Sequence, residues 1–370
     1  MSAVADAFAD SYVHARRKFL DSAAALGLPV ESHLHPLSGR EGETLAMDVV
    51  RDGPADAQNL LVVSSACHGV EGFCGSGIQV AALRDGAWHE QVQASASLAV
   101  LYIHGLNPYG FSHLRRTTHE NVDLNRNFHD FSLPLPVNTA YREVQPLLLP
   151  AEWPPSAANH AAIEAFIASH GEAAFQAAIT QGQHEFPKGL FFGGTEASWS
   201  NRTLRQVLQA QAQGVTRLGW IDIHTGLGPS GVGERIFAAR DDPASLQRAR
   251  QWWDGGGKTP VTSIYDGSSV SAFLTGMMFN AVYEECPQVQ YTGMALEFGT
   301  VPIMQTLQAL RGEQWLESHP EAGAEQAREI RQQVRDAFYT DTESWKAQVA
   351  QQASQALRQA AAGLTNPLRN

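Results

Sequence analysis

The stretch NLLVVSSACHGVEGFCGSG, residues 59–77, decides how the chain is read. It opens as a nearly continuous apolar, β-branched run, the pattern of a strand covered on both faces in a largely parallel sheet. The run halts at His68 and Gly69, and Glu71 follows three positions after the histidine. Gly69 and Gly72 let the backbone turn tightly, so imidazole and carboxylate can face one centre. Loops at the carboxyl ends of such strands form the usual binding crevice. A mixed nitrogen and oxygen pair suits zinc, which in a catalytic site takes a third protein ligand and keeps one position open.

Runs of the same kind recur at SLAVLYIHG, RLGWIDIHTG, ERIFAA and GMALEFGT, with two more extended segments at VESHLHPL and TLAMDVVRDG. Helical spacing marks FADSYVHARRKFLDSAAALG, GIQVAALRDG and SNRTLRQVLQAQAQG. Strands alternating with helices predict an α/β fold. No linker or internal repeat divides the sequence, so one catalytic domain over residues 1–370 is expected. It carries an insertion at about 131–200, with a helix near NHAAIEAFIASHGEAAFQAAI, and a helical C-terminal segment at about 302–363. An insertion rich in Gly and aromatics suits equally the lining or cover of a pocket and an ordinary surface excursion.

The missing ligand should stand at another strand end, and WIDIHTGLG supplies His224 there, with Asp222 two residues earlier on the same strand face to support it. MALEFGT sets Glu297 inside a third apolar strand, where a carboxylate is costly unless a cation or a catalytic task compensates. The segment NPYGFSHLRRTTHENVDLNRNF, residues 107–128, is crowded with arginine and asparagine. One arginine facing the metal would stabilise an oxyanion, and a second beside an asparagine would clamp a carboxylate.

The net charge of −12 is spread along the chain with no basic stripe, which argues against a nucleic-acid partner. No apolar run approaches a membrane span, and the N-terminal stretch carries Asp6, Asp10 and His14 where a signal peptide would be apolar; a cytoplasmic location is expected. Three cysteines form no disulfide framework, and Cys67 reads as a small buried hydrophobe. His104, His113, His119 and His129 read as loop or core residues. GLGPSG, residues 226–231, matches a dinucleotide fingerprint only formally, since Pro229 interrupts it and a strand follows. GGGKTP ends like a phosphate-binding loop, but Trp252 takes the place of its first glycine.

In this order, H-x-x-E at HGVE, NP-x-G at NPYG, D-x-NRN at DLNRN, the histidine of DIHTG and the glutamate of LEFGT resemble the zinc metallocarboxypeptidases of carboxypeptidase A type, more narrowly a bacterial branch of that family. The resemblance implies a mixed, mostly parallel eight-stranded sheet flanked by helices. It implies one zinc per chain held by His68, Glu71 and His224, with Glu297 as general base. Asn125 and Arg126 match the pair that grips a substrate carboxylate, and Arg116 the arginine that polarises the carbonyl, with Arg115 as the alternative. The family's mobile tyrosine has no counterpart near TGMMFN, and neither Tyr265 nor Tyr291 is assigned its role. The expected activity is hydrolysis of an amide bond in a small peptide or amino-acid conjugate, by water that zinc activates and Glu297 deprotonates. The alternatives are an N-acyl amino acid deacylase, similar to aspartoacylase and succinylglutamate desuccinylase, and a metal-binding protein without catalysis.

Overall fold

The computed structural model describes residues 4–366. Eight strands form one mixed sheet: β1 (Val30–Ser38), β2 (Thr44–Asp52), β3 (Asn59–Ser64), β4 (Leu98–His104), β5 (Arg217–Ser230), β6 (Gly233–Phe237), β7 (Val261–Ser263) and β8 (Gln290–Gly299). Their order across the sheet is β1-β2-β4-β3-β5-β8-β6-β7. The four central strands, β4, β3, β5 and β8, run parallel, whereas β2 and β6 are antiparallel to the central strands they meet. Helices cover both faces, and so β3 and β4 are buried along their whole length. This is the α/β architecture that the alternation of strands and helices predicts and the mixed eight-stranded sheet that the resemblance implies.

Two features of this sheet create a crevice. The chain leaves β3 for β4 on one side, yet β5 joins β3 on the other, so the connections diverge between β3 and β5. A parallel sheet binds its ligands at such a point, beyond the carboxyl ends of the strands. In addition, β3 stops pairing at Ser64, opposite Asp222, while β5 and β8 continue side by side to Phe298. His224 and Glu297 therefore lie within strands and are neighbours in the ladder, on the shelf that β3 leaves uncovered.

The turn after β3 depends on glycine. A Cβ on Gly69 would stand 2.1 Å from the carbonyl carbon of Gly110, so only glycine lets the two loops touch. Beyond it the helix Gly72–Arg84 closes on β3 through Gly75, whose added Cβ would meet Ser65 at 2.6 Å.

Residues 131–200 hold three helices, Thr139–Leu148, Ala157–His170 and Glu172–Thr180. The single helix expected over the latter part is two, because Gly171 has φ +88°, a backbone that breaks the helical path. The C-terminal segment consists of Ile303–Ser318, Ala324–Phe338 and Glu343–Thr365, in keeping with its helical pattern. No helix among the described residues is long and apolar enough to cross a membrane.

Candidate metal centre

His68 leaves β3 with an extended backbone and starts the short helical turn Gly69–Glu71, which brings the Glu71 carboxylate under its ring. His68 Nδ1 is 2.8 Å from Glu71 Oε1, and His224 Nδ1 is 3.0 Å from Glu71 Oε2. One donor atom from each of these three buried residues lies within 4.8 Å of the others. The outer nitrogens of both rings meet carboxylates: His68 Nε2 is 3.2 Å from Asp123 Oδ1, and His224 Nε2 bonds Asp222 Oδ2. Asp222 is fixed in turn by the Ser64 hydroxyl at 2.6 Å, which accepts from Trp220 Nε1 at 2.7 Å.

Asp222 behind His224 holds its proton on Nε2 and turns Nδ1 toward the centre, the arrangement that orients a metal-binding histidine, while His68 Nε2 faces both Asp123 and Arg116. Four carboxylates (Glu71, Asp123, Asp222, Glu297) meet only two guanidiniums here (Arg116, Arg126), and all four are buried. A buried cluster with more carboxylates than guanidiniums favours a cation among them. Two imidazole nitrogens and one carboxylate match the donor set of a catalytic zinc. The residues fit the metal.

A second donor group, Cys67 with Asp222 and His224, is also close enough to share an ion. Burial and the charges of Asp222 and Asp123 push the Cys67 thiol well above its ordinary pKa. A thiol kept protonated is a poor ligand, and Asp222 is already engaged by Ser64 and His224. His104 is core, its ring stacked on Phe19 and its Nε2 on Ser76. Neither it nor His113, His119 or His129 enters a donor group among the described residues.

Electrostatics sort the carboxylates. Burial acts to raise the Asp123 carboxyl, but the charges of Arg116 and Arg126 outweigh it and hold it well below its usual range. Glu71 is likewise lowered, since His68 and His224 overcome its burial. Glu297 goes the other way: burial first, then repulsion from Glu71, pushes it up to about 8. A cation beside Glu71 would offset that repulsion and lower Glu297 toward pH 7, where a general base works best. Its Oε1 accepts from the Leu227 N–H at 3.0 Å.

The adjacent arginines separate cleanly. Arg116 bonds Asp123 Oδ2 through Nε at 3.0 Å and reaches Glu71 Oε1 at 3.3 Å and His68 Nε2 at 2.8 Å. Arg115 turns away to Glu313 at 2.5 Å and to Thr117 and Asn121 at 3.0 Å. The candidate ligand cluster therefore has Arg116 beside it. Arg126 sends Nε and Nη2 to the Thr180 carbonyl and Nη1 to that of Asn125. Three of its five N–H groups are spent, leaving the Nη1–Nη2 edge to grip a carboxylate in two-pronged fashion. Asn125 accepts from the Met278 N–H at 3.0 Å, which leaves its amide nitrogen as a donor.

All seven residues that the sequence points to (His68, Glu71, Arg116, Asn125, Arg126, His224 and Glu297) line one cavity of about 300 Å³. Three further residues escaped the sequence reading. Asp123 lies in the quoted D-x-NRN, but its joint hold on His68 and Arg116 is a tertiary contact. Thr180 and Phe191 come from the 131–200 segment and carried no signal. The Phe191 ring faces both arginines, 4.9 Å from Arg116 and 5.7 Å from Arg126, and its φ of +53° is one a phenylalanine rarely adopts. Tyr265 donates to the Ala239 carbonyl and Tyr291 is buried, so neither lines the cavity.

The family match covers most of this architecture, extending over residues 8–352. The chain belongs to the family described as protein of unknown function DUF2817. No curated protein matches the sequence of this DUF2817 member. Among solved structures it is similar to carboxypeptidase A from Helicoverpa armigera, at 12% identity over 89% of this chain and 74% of that one, with a TM-score of 0.46. It is also similar to a metallo-carboxypeptidase from Pseudomonas aeruginosa, at 15% identity over 87% and 66% of the two chains and a TM-score of 0.39. An aspartoacylase family protein from Mesorhizobium loti is similar at 15% identity over 78% and 66%, with a TM-score of 0.36.

Proposed function

We propose that this DUF2817 protein is a zinc-dependent amide hydrolase acting on a small peptide or amino-acid conjugate whose amine side bears a carboxylate. The convergence of two Nδ1 atoms on Glu71, with Asp123 and Asp222 behind the rings, carries this reading. His68, Glu71 and His224 would hold one zinc ion. Bound there, zinc supplies Lewis acidity, making water a stronger acid and a carbonyl a better electrophile.

The chain's own residues supply the rest. Arg126, through its free edge, and Asn125 hold the substrate carboxylate and so fix the amide over the cluster. Arg116 steadies the negative charge that grows on the carbonyl oxygen. Glu297 takes a proton from the attacking water and returns it to the leaving nitrogen. The C–N bond breaks, the acyl carbon gains the water oxygen, and an acid and an amine are released. C-terminal peptide bonds and N-acyl amino acids both meet this description. The three thiols, Cys67, Cys74 and Cys286, are free and buried, which accords with a reducing cytoplasm.

Elemental analysis of the purified protein, joined to a panel of short peptides and N-acyl amino acids, tests the proposal. Close to one zinc per chain with turnover on at least one arm is expected. A protein that binds zinc but cleaves no member of the panel would leave the non-catalytic reading in its place.

A further inference from the structure

The cavity has a wall with almost nothing polar to offer. Ile303, Leu307 and Leu310, three and four residues apart on the helix Ile303–Ser318, form one stripe of it. The stripe runs from Ile303, 41% exposed at the rim, to Leu310, 4% exposed at the floor. Met304 at the same rim is 48% exposed, and Leu227 and Phe338 also line the cavity. The seven helical steps from Ile303 to Leu310 give this strip a length of about 10 Å. Exposed apolar side chains gathered at the mouth of a site mark a surface meant to be covered.

The polar groups on this wall are already committed. The Thr225 hydroxyl donates to the Phe338 carbonyl at 2.7 Å, that of Thr306 donates to the Gly226 carbonyl at 3.4 Å, and the Leu227 N–H serves Glu297. A peptide laid here would surrender the hydrogen bonds its backbone makes with water and regain few. An alkyl chain has none to lose. The carboxylate grip, by contrast, is built on other elements, with Asn125 tied to Met278 and Arg126 to Thr180.

Resting on the hydrolase reading above, we infer that the substrate is an N-acyl amino acid with a long unbranched acyl chain, its carboxylate on Arg126 and its chain along the Ile303–Leu310 strip. Water adds across the amide, releasing a fatty acid and a free amino acid. This names the group on the acyl side, about which the general reading is silent.

Two series of measurements test it. With zinc-loaded protein, kcat/KM for N-acetyl, N-hexanoyl and N-decanoyl forms of one amino acid should climb by up to about fourfold per methylene, the gain from burying each one. Met304→Glu, at an exposed position, should cut the decanoyl value at least tenfold more than the acetyl value. Separately, calorimetry on the Glu297→Gln protein reads the Kd of the same compounds without turnover. Affinity that tightens with chain length upholds the strip even if no compound is hydrolysed, in which case the hydrolase reading alone falls. Affinity and kcat/KM that stay flat with chain length, or dipeptides cleaved faster than the decanoyl compound, would overturn the inference and leave the hydrolase standing.

Discussion

Asp123 and His68, 55 residues apart, meet at 3.2 Å between Oδ1 and Nε2, while the other oxygen of the same carboxylate takes Nε of Arg116 at 3.0 Å. One side chain thus fixes a proposed metal ligand and a proposed oxyanion partner together. Asp123→Asn should weaken zinc binding by about 10- to 100-fold, the usual effect of removing such a support. Competition against a chelator of known affinity measures it, and unchanged affinity would show that His68 needs no such anchor.

Glu297→Gln keeps the shape and removes the base. Zinc content should stay near one per chain while turnover falls by about 10²- to 10⁴-fold, the range that general-base catalysis supplies. Turnover near the unaltered level would take Glu297 out of the reaction.

Arg115 is predicted to matter for stability alone. Its guanidinium is buried against Glu313, and removing one partner strands the other carboxylate in the interior. Arg115→Ala should cost about 3–5 kcal/mol in urea unfolding. The zinc content of the folded fraction should not change; loss of metal would mean that the pair also shapes the site.

His104 gives the fold a pH dependence of known sign. Burial lowers its pKa to about 4, against an unfolded value near 6.5. Above 6.5 both states hold it neutral and its contribution is complete. As pH falls toward 4, the unfolded chain takes up a proton that the folded one refuses, so stability drops by about 3 kcal/mol over that window. His104→Gln should flatten this part of the profile in unfolding measured on metal-free protein. An identical slope in the variant would assign the loss to other groups.

The sequence revealed the centre of this molecule better than its edges, for physical reasons. β3, β4, β8 and most of β5 are covered on both faces and are largely apolar, so they declare themselves, and His224 and Glu297 within them and His68 just past the end of β3 stand out against that background. The strand β7 is three residues long and at the sheet edge, too short to make a pattern. The helix Thr139–Leu148 carries Pro146 inside it, which hid its period. The spacing before DLNRN favours Arg116 but leaves Arg115 as an alternative, since adjacent residues differ only in direction, and it is the fold that sends Arg115 to Glu313. Phe191 and Thr180 reach the arginines by tertiary folding, and no local signal announces that.

The grip of Thr180 on Arg126 has a practical corollary. The guanidinium is steered by a carbonyl arriving 54 residues later, at the end of the helix Glu172–Thr180. Trimming the excursion that bears this helix, as one would to obtain a minimal scaffold, would unmoor the anion-seeking arm before disturbing the ion's cradle. Such a pared-down protein should still capture zinc and yet have lost its sense of which end of a molecule to hold.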